Sequence, residues 1–204
     1  MEQESIILPS SLKVIEAGAF KNRGDIRNIV IPDSVEEIGE DAFAGSSVEE
    51  IVFPRELRKL GRMNGHYYDL RKLDFSKVRH LEEFPSDFLS PDTLLLTELA
   101  LPMGVKKVGA CLGGWLKKLF LPSTVQEIDD EFHQVDIDVY CFSPKLKRLE
   151  PLVKYYDYDD EACHFYVLPE YLEAYKAQQE AEGVSTDYLI IGEMPEEYQH
   201  YYDE

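Results

Sequence analysis

The sequence has few cysteines, few basic residues and no long apolar run, and each shortage narrows what the chain can be. Three cysteines in 204 residues, Cys111, Cys141 and Cys163, are odd in number, widely spaced and free of any C-x-x-C pair. They exclude a disulfide scaffold and suit a reducing compartment. Twenty-one basic residues stand against 40 acidic ones, for a net charge of -19. Such a chain repels polyanions, which argues against nucleic acid or an anionic membrane as partner. No stretch approaches the roughly 20 consecutive apolar residues of a membrane-spanning helix, so no membrane insertion is expected. The opening residues MEQESIILPSSLKVIEAGAF lack the basic and apolar regions of a signal peptide. The chain as it stands reads as cytoplasmic, or as cell-surface or secreted if a targeting segment has been removed.

Chemistry-bearing motifs are equally scarce. GxSxG, GxxxxGK[ST] and GxGxxG do not occur, and His66, His80, His133, His164 and His200 show no HExxH or comparable metal spacing. The sequence therefore offers no catalytic residue and no cofactor site, and it reads as a non-enzyme. Asp157, Asp159 and Asp160, with Glu161, could present oxygens to calcium. They lack the turn glycine and distal glutamate of a calcium loop, so a solvated acidic loop is the better reading. An enzymatic alternative would use the loops 61–69 and 150–164, with His66, Asp69 or His164 in a deep pocket.

What the sequence does contain is a repeat. IILPSSLKVIEAGAF (6–20), IVIPDSVEEIGEDAF (29–43) and IVFPRELRKLG (51–61) are followed by LALPMGVKKVG (99–109), LFLPSTVQEIDDEF (119–132), CFSPKLKRLE (141–150) and YVLPEYLEAY (166–175). A further unit, LDFSKVRHLEEFPSDF (73–88), has serine where the others have proline. Anchored on that position, the units fall at Pro9, Pro32, Pro54, Ser76, Pro102, Pro122, Pro144 and Pro169, spaced 20 to 26 residues apart.

Each unit has a physical interpretation. Before the proline, alternate residues are apolar, as in Ile29 and Ile31, Ile51 and Phe53, Leu73 and Phe75, Leu99 and Leu101, and Leu119 and Leu121. This is the period of a short strand with one face buried. Another apolar residue lies three positions earlier (Ile26, Val48, Leu70, Leu96 and Leu116), completing LxxLxL. Proline then ends the strand because it cannot donate the next ladder hydrogen bond. After it come Leu12/Ile15, Val35/Ile38, Leu57/Leu60, Val105/Val108 and Val125/Ile128, which should line the opposite wall. No unit buries its own apolar face, but stacked units share a continuous core.

These phrases resemble a known family. IVIPDSVEEIGEDAF (29–43) is similar to the BspA-type leucine-rich repeat of bacterial and protist proteins. FYVLPEYLEAYKAQQE (165–180) resembles the strand, proline and short helix that end such arrays. The resemblance covers roughly residues 6–182. It implies a protein without catalytic residues in its repeat, in a family with many cell-surface members linked to adhesion or host-protein binding.

The expected fold is α/β to mostly β: a right-handed leucine-rich-repeat solenoid of about eight units. Its short strands form one parallel sheet, and a helix over 172–183 caps the end. Residues 1–192 form the single domain, and 193–204 a loose acidic C-terminal tail. The expected function is protein binding or structural support, through a protein partner or self-association; a fragment of a bacterial surface adhesin is the alternative. The alternation places two columns on the open sheet face: Val30, Val52, Asp74, Ala100, Phe120, Phe142 and Val167, and beside it Asn28, Glu50, Lys72, Glu98, Lys118, Tyr140 and Phe165. Its aromatic half, Phe120, Tyr140, Phe142 and Phe165, is the first candidate for protein binding. Tyr67 and Tyr68 in the 61–69 loop, and Tyr155, Tyr156 and Tyr158 in the 150–164 loop, are the second.

Overall fold

A computed structural model describes residues 6–90, 92–109, 116–129, 137–153 and 162–203. The alternating strands form where the repeat phrase places them and stack in parallel, so that like residues sit over like. Ile29, Ile51 and Leu73 lie side by side in strands Asn28–Val30, Glu50–Val52 and Lys72–Asp74. Leu99, Leu119, Val139, Phe165 and Ile191 do the same in Glu98–Ala100, Lys118–Leu121, Asp138–Cys141, Cys163–Val167 and Leu189–Glu193. Among the described residues these eight strands make up the front wall of a solenoid of about seven turns. No strand forms at residues 6–8 of the first unit, where Ile7 is 90% exposed.

The front wall is a three-stranded and a five-stranded parallel sheet, where one was expected. Lys72–Asp74 lies alongside Glu98–Ala100 without joining its ladder. The seam coincides with the long turn between the anchors at 76 and 102. There Phe75, Phe84 and Phe88 pack together in the core, with Phe84 and Phe88 ring centres 4.6 Å apart.

The second apolar pair of each unit builds the back wall. Val14–Ile15, Glu37–Ile38 and Lys59–Leu60 form one short parallel ladder, and Lys107–Val108 and Glu127–Ile128 another. Ile15, Val35, Ile38, Leu57, Val105, Val108, Val125 and Ile128 are all buried there, as are the five LxxLxL leading residues on the front. Solvent-facing positions on the back pair opposite charges between turns: Lys13 with Glu36, Lys59 with Glu37, Arg62 with Glu40, and Lys147 with Glu127. Exposed pairs of this kind contribute little each, about 0 to 1 kcal/mol. Their value lies in tolerating a charged surface on closely stacked turns.

The helix Leu172–Glu182 ends as its sequence predicts, on Gly183 in the left-handed conformation (φ 68°) with its amide turned back to Gln179 and Glu180. Tyr175 and Gln179 face inward from it. Tyr175 Oη donates to the Ser143 carbonyl at 3.0 Å, and Gln179 Nε2 donates to the Leu189 carbonyl at 2.7 Å. The Glu182 carboxylate accepts the Leu149 amide. The helix thus closes the core and ties three successive turns together before the last strand.

Cys141 occupies the inward strand position expected of it and is fully buried. Burial pushes its thiol up to about 12. Because the thiolate is the nucleophile, Cys141 should resist alkylation at pH 8 in the native protein and react once the chain is unfolded. Mass spectrometry of iodoacetamide-treated protein checks this; rapid native labelling of Cys141 would contradict it.

Candidate interaction face

The front face is where outward strand positions form continuous columns, and its two halves differ. In the N-terminal half Val30 is 63% exposed, with Val52 beside it in register. The next column holds Asn28, Glu50 and Lys72, and Lys72 Nζ lies 2.8 Å from Glu50 and 3.7 Å from Asp74. This half is open, with a small apolar strip flanked by alternating charge.

The C-terminal half is aromatic but not open. Phe120, Tyr140 and Phe142 are at most 5% exposed and form a second apolar cluster with Met194, outside the main core. What covers them is the C-terminal segment, so the expectation of a loose acidic tail is corrected. Tyr201 stacks on Phe120 with ring centres 4.4 Å apart. Tyr198 meets Tyr140 edge-on at 4.8 Å, and Tyr202 meets Phe142 at 4.9 Å. The Tyr202 hydroxyl lies 2.8 Å from the Leu101 carbonyl and 3.0 Å from that of Phe120, its single hydrogen shared between them. Lys118 Nζ sits between Glu98 at 2.9 Å and the Tyr198 hydroxyl at 3.1 Å. Those two bonds, the carboxylate's first, raise the Lys118 pKa and keep it charged.

Register explains which expected residues belong to the face. Phe120 pairs with Tyr140, a step of 20 residues rather than 22, and Tyr140 pairs with Tyr166. The outer column is therefore Ala100, Phe120, Tyr140 and Tyr166, with Phe142 two residues past Tyr140, just beyond the end of its strand. Phe165, expected outward, pairs with Val139 and is fully buried in the core against Tyr175. Val167, also expected outward, pairs with Cys141 and points inward as well.

Of the loop candidates, Tyr67 is fully buried and fills the core as Phe43 and Phe88 do. Burial, reinforced by the nearby Asp41 carboxylate, raises its phenol pKa. It is a packing residue in place of the usual repeat phenylalanine, not a contact residue. Tyr68 is 57% exposed and stacks on His66, which lies 3.1 Å from Asp92. Tyr155, Tyr156, Tyr158, Asp157, Asp159 and Asp160 lie outside the described residues. The groups named for an enzymatic pocket face separate partners: His66 faces Asp92, Asp69 faces Arg27, and His164 faces Asp138. Among the described residues no group of three or more His, Cys, Asp or Glu could hold a metal ion, and no helix is long and apolar enough to cross a membrane.

The tail contacts give two expected results. Tyr202→Phe removes the hydroxyl from the two carbonyls and should weaken closure of the tail by about 1 kcal/mol, read as faster proteolysis after Glu193. Unchanged cleavage would show that the hydroxyl does not hold the segment. The second concerns pH. Burial, with Asp138 adding to it, pushes Tyr140 up to about 12. The folded face favours the neutral phenol, so packing is complete below pH 10 and is lost as pH rises towards 12. Tyrosinate absorbance should show part of the tyrosines titrating in that window as the tail detaches; titration of all thirteen tyrosines near 10 would contradict it.

No curated protein matches the chain. A leucine-rich repeat protein from Bacteroides ovatus, of known crystal structure, is similar at 18% identity and a TM-score of 0.43, over 78% of this chain and 48% of that one. The chain thus spans about half the length of that solved relative. The family described as "BspA type Leucine rich repeat region (6 copies)" matches residues 2–112, more than half of the chain, over the turns whose phrases stack in register. The chain belongs to the BspA-type leucine-rich repeat family.

Proposed function

We propose that this protein is a non-catalytic protein-interaction module that binds through its front sheet face. The observation that carries the reading is that this face already holds a peptide segment, the C-terminal residues, chiefly by side-chain contact. A surface that orders one segment by aromatic packing and a few hydrogen bonds has the chemistry of protein recognition. The open half continues the same columns through Val52 and Val30. Family membership brings no catalytic residues with it, which is consistent with a scaffold.

Paired variants test this. Val30→Glu with Val52→Glu places charge on the open front strip, whereas Lys59→Glu places it on the back wall. Both should fold. Proteins retained from native lysate by the wild-type chain should be lost from the front variant and kept by the back one. Equal retention by both would sink the front-face reading.

A further inference from the structure

The C-terminal segment has the attachment of a ligand rather than of a secondary-structure element. After Glu193 it forms one short 3-10 turn, Glu196–Tyr198. Its later backbone hydrogen bonds are local, from Tyr198 to Pro195, Gln199 to Glu196, Tyr201 to Tyr198 and Asp203 to His200. Among the described residues one backbone bond ties it to the solenoid, from the Met194 amide to the Val167 carbonyl. Everything else that holds it is side chain on side chain, or a side chain on a carbonyl. Its polarity is sorted accordingly: Met194, Tyr198 and Tyr202 turn toward the sheet, while Glu196, Glu197, His200 and Asp203 are exposed.

Beside Tyr201 and Tyr202 a cavity of about 260 Å³ opens over the seam between the two front sheets, lined also by Lys72, Asp74, Phe75, Arg79 and Met103, with the Asp74 carboxylate 3.7 Å from Lys72 Nζ. Among the described residues the Arg79 guanidinium bonds only the main-chain carbonyls of Ser76 and Val78. No carboxylate among the described residues pairs with the Arg79 charge, and an acidic residue of an incoming segment would meet it there.

We propose that the front face from Glu98–Ala100 to Cys163–Val167 is a recognition groove for an acidic, tyrosine-bearing peptide segment of a partner protein, which displaces the chain's own C-terminal segment. The internal segment displays the chemistry the groove accepts: tyrosines at 198, 201 and 202 with carboxylates flanking them. Held in cis, it competes with any partner and lowers the apparent affinity by the fraction of time the groove is closed. This rests on the reading of the front face as the interaction surface and adds its ligand class and its control.

The test uses the chain truncated after Glu193 and, as probe, a fluorescent peptide with the sequence of residues 194–203. The truncated chain should bind it saturably. The full chain should bind it at least about tenfold more weakly, a scrambled peptide should not bind, and Lys118→Ala in the truncated chain, which removes the bond to the Tyr198 hydroxyl, should weaken binding severalfold. A folded truncated chain that ignores the peptide, or takes the scrambled one equally, overturns the proposal. If truncation prevents folding, Tyr198→Ala with Tyr202→Ala in the full chain replaces it. Failure of that variant to fold also overturns the proposal, because the segment is then part of the core. A doubled mass of the full chain by light scattering, lost on truncation, assigns the groove to a second copy and overturns the partner claim. Failures remain separable: loss of lysate partners from the Val30/Val52 variant, with no peptide binding, keeps the interaction face and rejects the peptide groove.

Discussion

Gly39→Ala and Gly61→Ala should each destabilise the protein by about 3 kcal/mol or more, the upper range for forcing atoms into packed structure. Neither glycine is needed for its backbone angles. Each is needed because successive turns approach backbone to backbone just past the back-wall strands Glu37–Ile38 and Lys59–Leu60. The Gly39 amide donates to the Ile15 carbonyl at 2.8 Å, and the Gly61 amide to the Ile38 carbonyl at 2.7 Å. A methyl group on Gly39 would lie against the Ala17 amide and 2.8 Å from its Cα; on Gly61 it would lie against the Glu40 amide and 2.6 Å from the Gly39 carbonyl carbon. Main-chain atoms fixed in a ladder cannot swing aside as a side chain can. Gly24→Ala is the control. Nothing lies within 4 Å of the added methyl there, and the change should stay within about 0.5 kcal/mol. Urea denaturation followed by circular dichroism checks all three, and a Gly39 variant as stable as the Gly24 variant would refute the close approach.

The second large effect belongs to Phe53→Ala, expected to cost about 3–5 kcal/mol. Phe53 is 1% exposed and stacks on Phe75 at 4.0 Å with their planes 7° apart. It carries the stack from the turn of Glu50–Val52 to Phe75 and the aromatic cluster at the seam. Because each turn of a solenoid contacts only its neighbours, the loss should fall first on the N-terminal turns. Hydrogen exchange should rise across Asn28–Val30 and Glu50–Val52 well before it rises across Cys163–Val167. A change below about 1 kcal/mol would mean that the core collapses around the gap, and would contradict the rigid stacking described.

Where the repeat phrase is regular, the sequence alone suffices. Ile29, Ile51, Leu73, Leu99 and Leu119 are inward because alternation and spacing agree, and Gly183 marks the helix end because the left-handed conformation favours glycine. The reading weakens where proline no longer reports register. Pro144 lies two residues past the position of Pro122 in the observed pairing, so proline spacing matches Phe142 to Phe120 although Tyr140 is its partner. The match of Phe165 to the outer face slipped by a single residue, and in a strand one residue reverses the face. Glycine and polar residues around Tyr67 point to a loop contact, yet its ring fills the core. The largest gap was the C-terminal segment. Its carboxylates suggest a solvated tail, and no local pattern reveals that tyrosines at 198, 201 and 202 reach residues 58 to 101 positions earlier. The one cue was the concentration of tyrosine in a stretch otherwise acidic.

The occupied front face is the central claim, and nuclear Overhauser contacts between aromatic rings test it most directly. The account predicts contacts from the Tyr201 ring to Phe120 and from the Tyr202 ring to Phe142, present in the full chain and abolished by truncation after Glu193. A C-terminal segment with sharp, averaged resonances and no contact to either phenylalanine would contradict it.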